Sequence, residues 1–132
     1  MELNLYIMSK KATLHVCVSC RINRDEVNES RVRDGTKLYK KLVRDVVSNG
    51  FADTIDLKPT KCLSLCKHSC GIAFSCDSYW HYLLGHQHKD NTADIFKFAD
   101  LYLNSEDGVV AKEDRPASMQ NSVLGKIPPI TK

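Results

Sequence analysis

The chain has 132 residues, of which 42% are hydrophobic and 27% charged, with only six glycines and four prolines. This length suits one domain with a single core, and the composition excludes a disordered, collagen-like or membrane-embedded chain. The formal net charge of +3, from 19 basic and 16 acidic residues, is too small and too evenly spread for a dedicated nucleic-acid-binding protein.

The beginning of the chain lacks the features of an export signal. Residues 1–7 are apolar for only a few positions and include the acidic Glu2, whereas a secretory signal has a basic start and a longer apolar stretch. No stretch approaches the roughly 20 apolar residues of a membrane span. We therefore expect a cytoplasmic protein with no membrane partner, in a reducing compartment where clustered cysteines more often bind metal than form disulfides.

The first half of the chain has the pattern of a strand, a helix and a second strand. Residues 12–18 alternate in polarity and are rich in β-formers, so they predict a strand that delivers Cys17. Apolar residues recur at helical spacing over about 33–49, and an Asn-Gly pair is typical of the helix end. Residues 53–58 alternate again, and Pro59 is expected to end that strand. Strands joined by such a helix are expected to be parallel neighbours whose carboxyl ends share one edge of the sheet.

The second half has the pattern of a hairpin followed by a helix. Residues 71–76 and 79–84 are strand-like and are separated by two residues, which predicts an antiparallel hairpin. Residues 92–104 carry apolar side chains on one helical face. The chain after Gly108 is polar and contains prolines, so an irregular tail is expected there. The predicted fold is α/β, in the order β-α-β-β-β-α, with helices packed on a mixed four-stranded sheet.

Six cysteines form two groups separated by 41 residues, with the spacings C-x2-C and C-x3-C-x3-C-x5-C. Thiolates suit both zinc and iron-sulfur clusters. Zinc ribbons typically use two C-x2-4-C pairs, so the second group matches zinc less well, although zinc stays open. Their even number also leaves a disulfide framework as an alternative. They are Cys17, Cys20, Cys62, Cys66, Cys70 and Cys76.

The predicted topology brings the two groups together, because each follows a strand of the parallel pair. The metal ligands expected from this geometry are Cys17, Cys20, Cys62 and Cys66. Cys70 is a further candidate ligand, and Cys76, which alternates within a predicted strand, is expected in the core. A thioredoxin-type dithiol at the C-x2-C pair is an alternative, but it requires a helix that begins at the pair and leaves the second group unexplained.

Two further observations concern function. His81, His86 and His88 could form a separate imidazole site, the alternative being solvated loop histidines with His81 on a strand. The sequence contains no G-x-G-x-x-G, Walker lysine motif, G-x-S-x-G or H-E-x-x-H. We therefore expect a binding or carrier protein rather than an enzyme.

A cysteine pair after the first strand and C-x3-C after the second resemble the thioredoxin-like [2Fe-2S] ferredoxins. Cys62-Leu-Ser-Leu-Cys66 is similar to the C-L-x-x-C of the ferredoxin-type subunit of respiratory NADH dehydrogenase. The resemblance implies a thioredoxin-like fold, a [2Fe-2S] cluster held by the four expected ligands, and electron transfer to a redox partner protein. Those ferredoxins generally separate their first two ligands by more than two residues, so that Cys70 becomes a candidate to replace Cys17 or Cys20.

A second resemblance rests on residues 14–20, 62–70, 80–85, 105–108, 115–116 and 126–129. These segments are similar to a family of small bacterial proteins described as predicted metal-binding. It implies an alternative function, the binding or delivery of zinc, cobalt or another divalent metal to an acceptor protein, linked to cobalamin metabolism. The expected organisation is an extension at 1–8, a domain at 9–108 and an irregular tail at 109–132 that packs on or docks from that domain. Whether the chain forms a homodimer stays open.

Overall fold

A computed structural model describes residues 11–23 and 32–129 of the chain. The described residues form a mixed α/β fold, and the predicted order of strand, helix, strand, hairpin and helix is confirmed. The elements are β1 (Ala12–Cys17), α1 (Asp34–Ser48), β2 (Ile55–Thr60), β3 (Ile72–Ser75), β4 (His81–Leu84), α2 (Thr92–Asn104) and β5 (Val123–Ile127). The strand order is β2-β1-β3-β4-β5, in which β1 and β2 are parallel and the other neighbours are antiparallel.

The core lies between the sheet and the two helices. Leu38 and Leu42 of α1 are one helical turn apart and are fully buried, as the periodicity predicts. Helix α2 buries a broader face, and its Phe98 ring lies 5.3 Å from the Phe74 ring on β3. The buried residues of β1 alternate along the strand, which places one face of this interior strand against the core.

The parallel pair positions the candidate site. Cys17 at the end of β1 lies opposite Thr60 at the end of β2, and the Val18 N–H donates to the Thr60 carbonyl at 2.9 Å. The expectation that Pro59 ends β2 is wrong, because the strand continues through it. Backbone groups of successive residues point to opposite sides of a strand, and the Thr60 carbonyl points toward β1. The backbone of Pro59 therefore points away from β1, to the open side of this edge strand, where no neighbouring strand needs its missing N–H.

The connection between the two strands of the hairpin is longer than predicted. Tyr79 and Trp80 precede β4 instead of opening it, because the Trp80 N–H donates to the Asp107 carbonyl at 3.0 Å and the Tyr79 N–H to the Cys76 carbonyl at 3.1 Å. The connection therefore spans residues 76–80. Contacts with the loop after α2 override the β-forming character of the two aromatic residues.

The segment after Gly108 contains regular structure that the sequence pattern does not indicate. Two short 3-10 helices, Lys112–Asp114 and Ala117–Met119, precede β5, which pairs with β4. The sheet therefore has five strands rather than the predicted four. Strand β5 lies at the edge and is largely exposed, so it lacks the polarity alternation that reveals a half-buried strand.

The predicted extension at 1–8 lies outside the described residues, and the predicted domain limits stay predictions. In the part of the chain that the structure describes, no helix combines the length and apolar character needed to cross a membrane.

Candidate metal centre

Three thiols lie together inside the protein at the carboxyl end of β1. Cys17 is the last residue of β1, Cys20 lies just after the turn that follows, and Cys70 is two residues before β3. Each of the three is 2% exposed or less. The Cys20 thiol is hydrogen-bonded to the thiols of Cys17 and Cys70. We refer to these three residues as the buried thiol group.

The beginning of α1 fixes the turn between Cys17 and Cys20. Gly35 permits this contact, because a Cβ at that position would overlap the carbonyl oxygen of Cys17. Three consecutive carbonyl oxygens of the turn accept hydrogen bonds from residues 33–36, at the start of α1. The pairs are Cys20 O with Gly35 N–H at 3.0 Å, Val18 O with the Thr36 hydroxyl at 2.9 Å, and Ser19 O with the Arg33 guanidinium at 2.9 Å.

Backbone N–H groups also point at the buried sulfurs. The Gly71 N–H donates to Cys20 Sγ at 3.4 Å, and the Leu63 N–H donates to the Cys17 sulfur. Such bonds stabilise a thiolate relative to a thiol, and around iron-sulfur clusters they help to set the reduction potential. These N–H groups therefore counteract part of the cost of holding negative charge on the buried sulfurs of Cys17 and Cys20.

Protonation within the buried thiol group is uneven. The Cys70 thiol donates to the Cys20 sulfur and, with the Gly71 N–H, lowers the pKa of Cys20 to about 5, although burial acts in the opposite direction. The same hydrogen bond, together with burial, raises the pKa of Cys70. Burial, followed by the hydrogen bond with Cys20, raises the pKa of Cys17. Cys20 is therefore the most acidic of the three buried thiols.

The other two predicted ligands are on the surface. Cys62 and Cys66 lie in the loop after β2, where both are exposed, and we refer to them as the exposed pair. Cys66 begins a short 3-10 helix, and the Ser64 N–H donates to Cys62 Sγ at 3.3 Å. Leu63, between the two cysteines, packs against the core and anchors the loop.

The shared edge of the sheet collects both cysteine groups, as the parallel topology predicts. The predicted ligand set would bring Cys17 and Cys20 into contact with Cys62 and Cys66. In the structure, Cys17 and Cys20 instead lie against Cys70. Cys70 reaches them because β3 pairs with β1 on the side opposite β2, and the Cys17 N–H donates to the Gly71 carbonyl at 3.0 Å. Within residues 11–23 and 32–129 no three His, Cys, Asp or Glu side chains are arranged as a metal-binding group. The four-cysteine ligand set stays a prediction.

Two cysteine alternatives can be compared with the structure. Cys76 is buried at the opposite end of β3, where its thiol donates to the Lys11 carbonyl at 3.5 Å, so its predicted place in the core is confirmed. The dithiol alternative requires a helix that begins at the C-x2-C pair, whereas α1 begins at Asp34.

The histidines are arranged differently from the predicted set. His81 lies on β4, and His88 accepts a hydrogen bond from the Asp90 N–H at 3.3 Å before a short 3-10 helix. His86 pairs with His68, with His68 Nδ1 and His86 Nε2 3.2 Å apart. The sequence analysis missed this pair because its members are 18 residues apart and meet only when the cysteine loop packs against the end of β4.

The chain matches a family model described as "Protein of unknown function (DUF1636)" over residues 14–129. This range includes the buried thiol group and the exposed pair. No curated protein matches the chain.

Solved structures of a thioredoxin-like [2Fe-2S] ferredoxin from Aquifex aeolicus are similar to the whole described fold. One is 15% identical, with a TM-score of 0.58, and the alignment covers 93% of this chain and 99% of that one. The other, the wild-type protein at 1.5 Å resolution, is 12% identical with a TM-score of 0.56, covering 88% and 98%. At these identities the likeness concerns the fold, and it confirms the predicted thioredoxin-like architecture.

Proposed function

The chain belongs to the DUF1636 family, and we propose that it is a small electron carrier that holds a [2Fe-2S] cluster through cysteine. Its ligands in this proposal are Cys17, Cys20, Cys62 and Cys66, with Cys70 as the substitute for Cys20. The protein acts without a substrate-binding active site and exchanges electrons with a redox partner protein in the cytoplasm.

The observation that carries this proposal is the collection of five cysteines at one edge of the sheet. Cys17 and Cys20 follow one strand of the parallel pair and the exposed pair follows the other, while Cys70 lies just before β3, which pairs with β1. Thiolate sulfur is the donor that iron-sulfur clusters require, and backbone N–H groups already donate to sulfurs of both groups. The donor set therefore fits the cofactor, and the similarity in fold to a [2Fe-2S] ferredoxin supports the same choice.

The uneven burial of the cysteines suits electron transfer. A cluster held between the two groups would be shielded on the side of the buried thiol group and accessible on the side of the exposed pair, where a partner could approach. Lys61 and Lys67 flank the exposed pair in sequence and are exposed. Their positive charges offset the charge of a thiolate-ligated cluster and attract an acidic partner surface.

Reconstitution without oxygen tests the cofactor. The full chain, incubated with iron and sulfide under reducing conditions, is expected to become red-brown and to contain two irons and two sulfides per chain, the composition of [2Fe-2S]. Zinc without iron or sulfide in the reconstituted protein would overturn the proposal.

Single substitutions test the ligands. Cys62→Ser or Cys66→Ser is expected to abolish cluster incorporation, since an iron loses a thiolate. The matched control is Cys76→Ser, which changes a buried cysteine at the other end of the sheet and should leave the visible spectrum intact. Equal loss in all three variants would show that the ligand assignment is wrong.

One observation favours a second function, the binding and delivery of a single zinc or cobalt ion. The buried thiol group brings three sulfur donors close together, although not yet in a metal-binding arrangement, and a fourth ligand would complete a tetrahedral site. Colour separates the two functions, because a zinc protein is colourless. In the delivery function the partner is a metal-acceptor protein.

A further inference from the structure

Two histidine rings meet on the surface beside the cysteine loop. His68 Nδ1 and His86 Nε2 are 3.2 Å apart, and the rings are perpendicular, with centroids 5.1 Å apart. Both residues are exposed. We propose that this pair binds a divalent transition-metal ion of the class that prefers imidazole, such as Ni²⁺ or Zn²⁺, at a site separate from the cysteines.

The distance between the two ring nitrogens suits two ligands of one ion. With metal–nitrogen bonds of about 2.0–2.1 Å, two imidazoles that subtend about 90° to 110° at the ion have nitrogens about 2.8 to 3.4 Å apart. The observed 3.2 Å falls within that interval. Because both rings are exposed, small side-chain rotations can turn both lone pairs toward one ion, which displaces the proton that the rings share.

The backbone holds the two histidines in this position. The His86 N–H donates to the His68 carbonyl at 2.8 Å. Cys70, two residues after His68, and Gln87, the residue after His86, exchange a pair of hydrogen bonds, each of 3.1 Å, between their N–H and carbonyl groups. The segments that carry the two rings are therefore tied together by three backbone hydrogen bonds, so the rings are presented from a fixed base.

Two local features show that this close approach is specifically built. A Cβ on Gly85 would lie 2.6 Å from the His68 carbonyl oxygen, so only glycine permits the contact. His86 has a φ of 59°, in the left-handed region that non-glycine residues seldom adopt. The fully buried Gln87 side chain donates to the Gly85 carbonyl at 2.8 Å and supports this conformation. Such outliers concentrate at ligand-binding sites, where the surrounding structure holds them.

The site is open. The protein supplies two nitrogen ligands, and water or a group from a partner would complete the coordination. His68 lies two residues after Cys66 in the same 3-10 helix, so the ion would be held next to the exposed pair. An incompletely coordinated ion at this position exchanges readily, which suits the capture of metal rather than permanent storage. The inference does not rest on the iron-sulfur proposal.

Metal titration of the full chain tests the site, with Ni²⁺ as the probe. The background carries Cys62→Ser and Cys66→Ser, which removes the two neighbouring thiols, and any binding by the buried thiol group is common to every variant and cancels from the comparison. Calorimetry is expected to detect one Ni²⁺ equivalent that His68→Ala and His86→Ala each remove. The matched control is His88→Ala, which changes an exposed histidine two residues from His86 and should keep that equivalent.

Nuclear magnetic resonance gives a readout without histidine variants. Paramagnetic Ni²⁺ at substoichiometric amounts should broaden the ring signals of His68 and His86 before those of the other histidines. Broadening led by His81 or His88, or an equal Ni²⁺ stoichiometry in the background protein and in its His68→Ala and His86→Ala variants, would overturn the proposal.

Discussion

The two cysteine groups occupy equivalent topological positions but very different surroundings. Cys17 and Cys20 of the buried thiol group follow the interior strand β1 and are joined by Cys70 from the segment before β3, whereas the exposed pair follows the edge strand β2. The end of β1 is enclosed by the start of α1 on one face and by the segment before β3 on its other side. The end of β2 has a neighbour on one side only. Position in the sheet therefore decides which cysteines the fold holds rigidly and which stay accessible.

The largest expected effect is on the contact that encloses the buried thiol group. Gly35→Ala should destabilise the metal-free protein by about 3 kcal/mol or more, because the new Cβ would overlap the Cys17 carbonyl and push α1 away from β1. This loss exceeds the roughly 1 kcal/mol by which alanine usually stabilises a helix relative to glycine. Urea denaturation measures the change.

The matched control for this prediction is Gly125→Ala in β5. A Cβ at Gly125 would meet its nearest atom at 4.0 Å, an ordinary contact, so the stability should change by less than about 1 kcal/mol. Similar losses in both variants would show that the enclosure by α1 is not the cause.

The second prediction concerns the choice of ligand within the buried thiol group. Cys20→Ser is expected to leave a cluster with an altered spectrum and lower stability, since Cys70 touches Cys20 and can take over its role. The double change Cys20→Ser with Cys70→Ser should remove the cluster, a non-additive result typical of groups that share one role. Iron content and visible absorption measure occupancy. Complete loss in the Cys20→Ser single variant would exclude Cys70 as a substitute, and retention in the double variant would exclude both as required ligands.

A smaller effect separates the two groups in the metal-free protein. Cys70→Ala should cost about 1 to 2 kcal/mol in unfolding free energy, because it removes a fully buried sulfur and its contact with Cys20. Cys62→Ala should stay within about 0.5 kcal/mol of the parent, since that side chain is exposed. The order should reverse for cluster incorporation, which Cys62→Ala abolishes. A larger stability loss in Cys62→Ala than in Cys70→Ala would contradict the assigned surroundings.

The smallest effect is a change in thiol titration. In the metal-free protein one thiol should titrate with a pKa of about 5, and Cys70→Ala should raise that pKa because Cys20 loses its main hydrogen-bond donor. Since the folded pKa lies below the unfolded value, this thiolate stabilises the protein fully above pH 9 and less as the pH falls toward 5. Thiolate absorbance in the ultraviolet measures the titration. An unchanged midpoint in Cys70→Ala would show that the hydrogen bond is not the cause.

Exposure offers a further check on the same comparison. Alkylation of the metal-free protein at neutral pH, followed by mass spectrometry, should modify Cys62 and Cys66 first. Cys20 should react slowly despite its low pKa, because it is buried and the reagent reaches it only when the turn between Cys17 and Cys20 opens. Equal rates would indicate that the buried thiol group is open in solution.

The sequence by itself determined the first four strands, the two helices and the edge of the sheet at which the cysteines meet. Alternation over β1, helical spacing over α1 and the parallel rule for strands joined by a helix are local or topological signals, and they suffice to bring Cys17 and Cys62 to one edge. Tertiary structure decided that Cys70 joins the buried thiol group, that His68 meets His86, and that β5 extends the sheet. Each depends on contacts between segments far apart in the chain, and such contacts leave no periodic signal in the residues that make them.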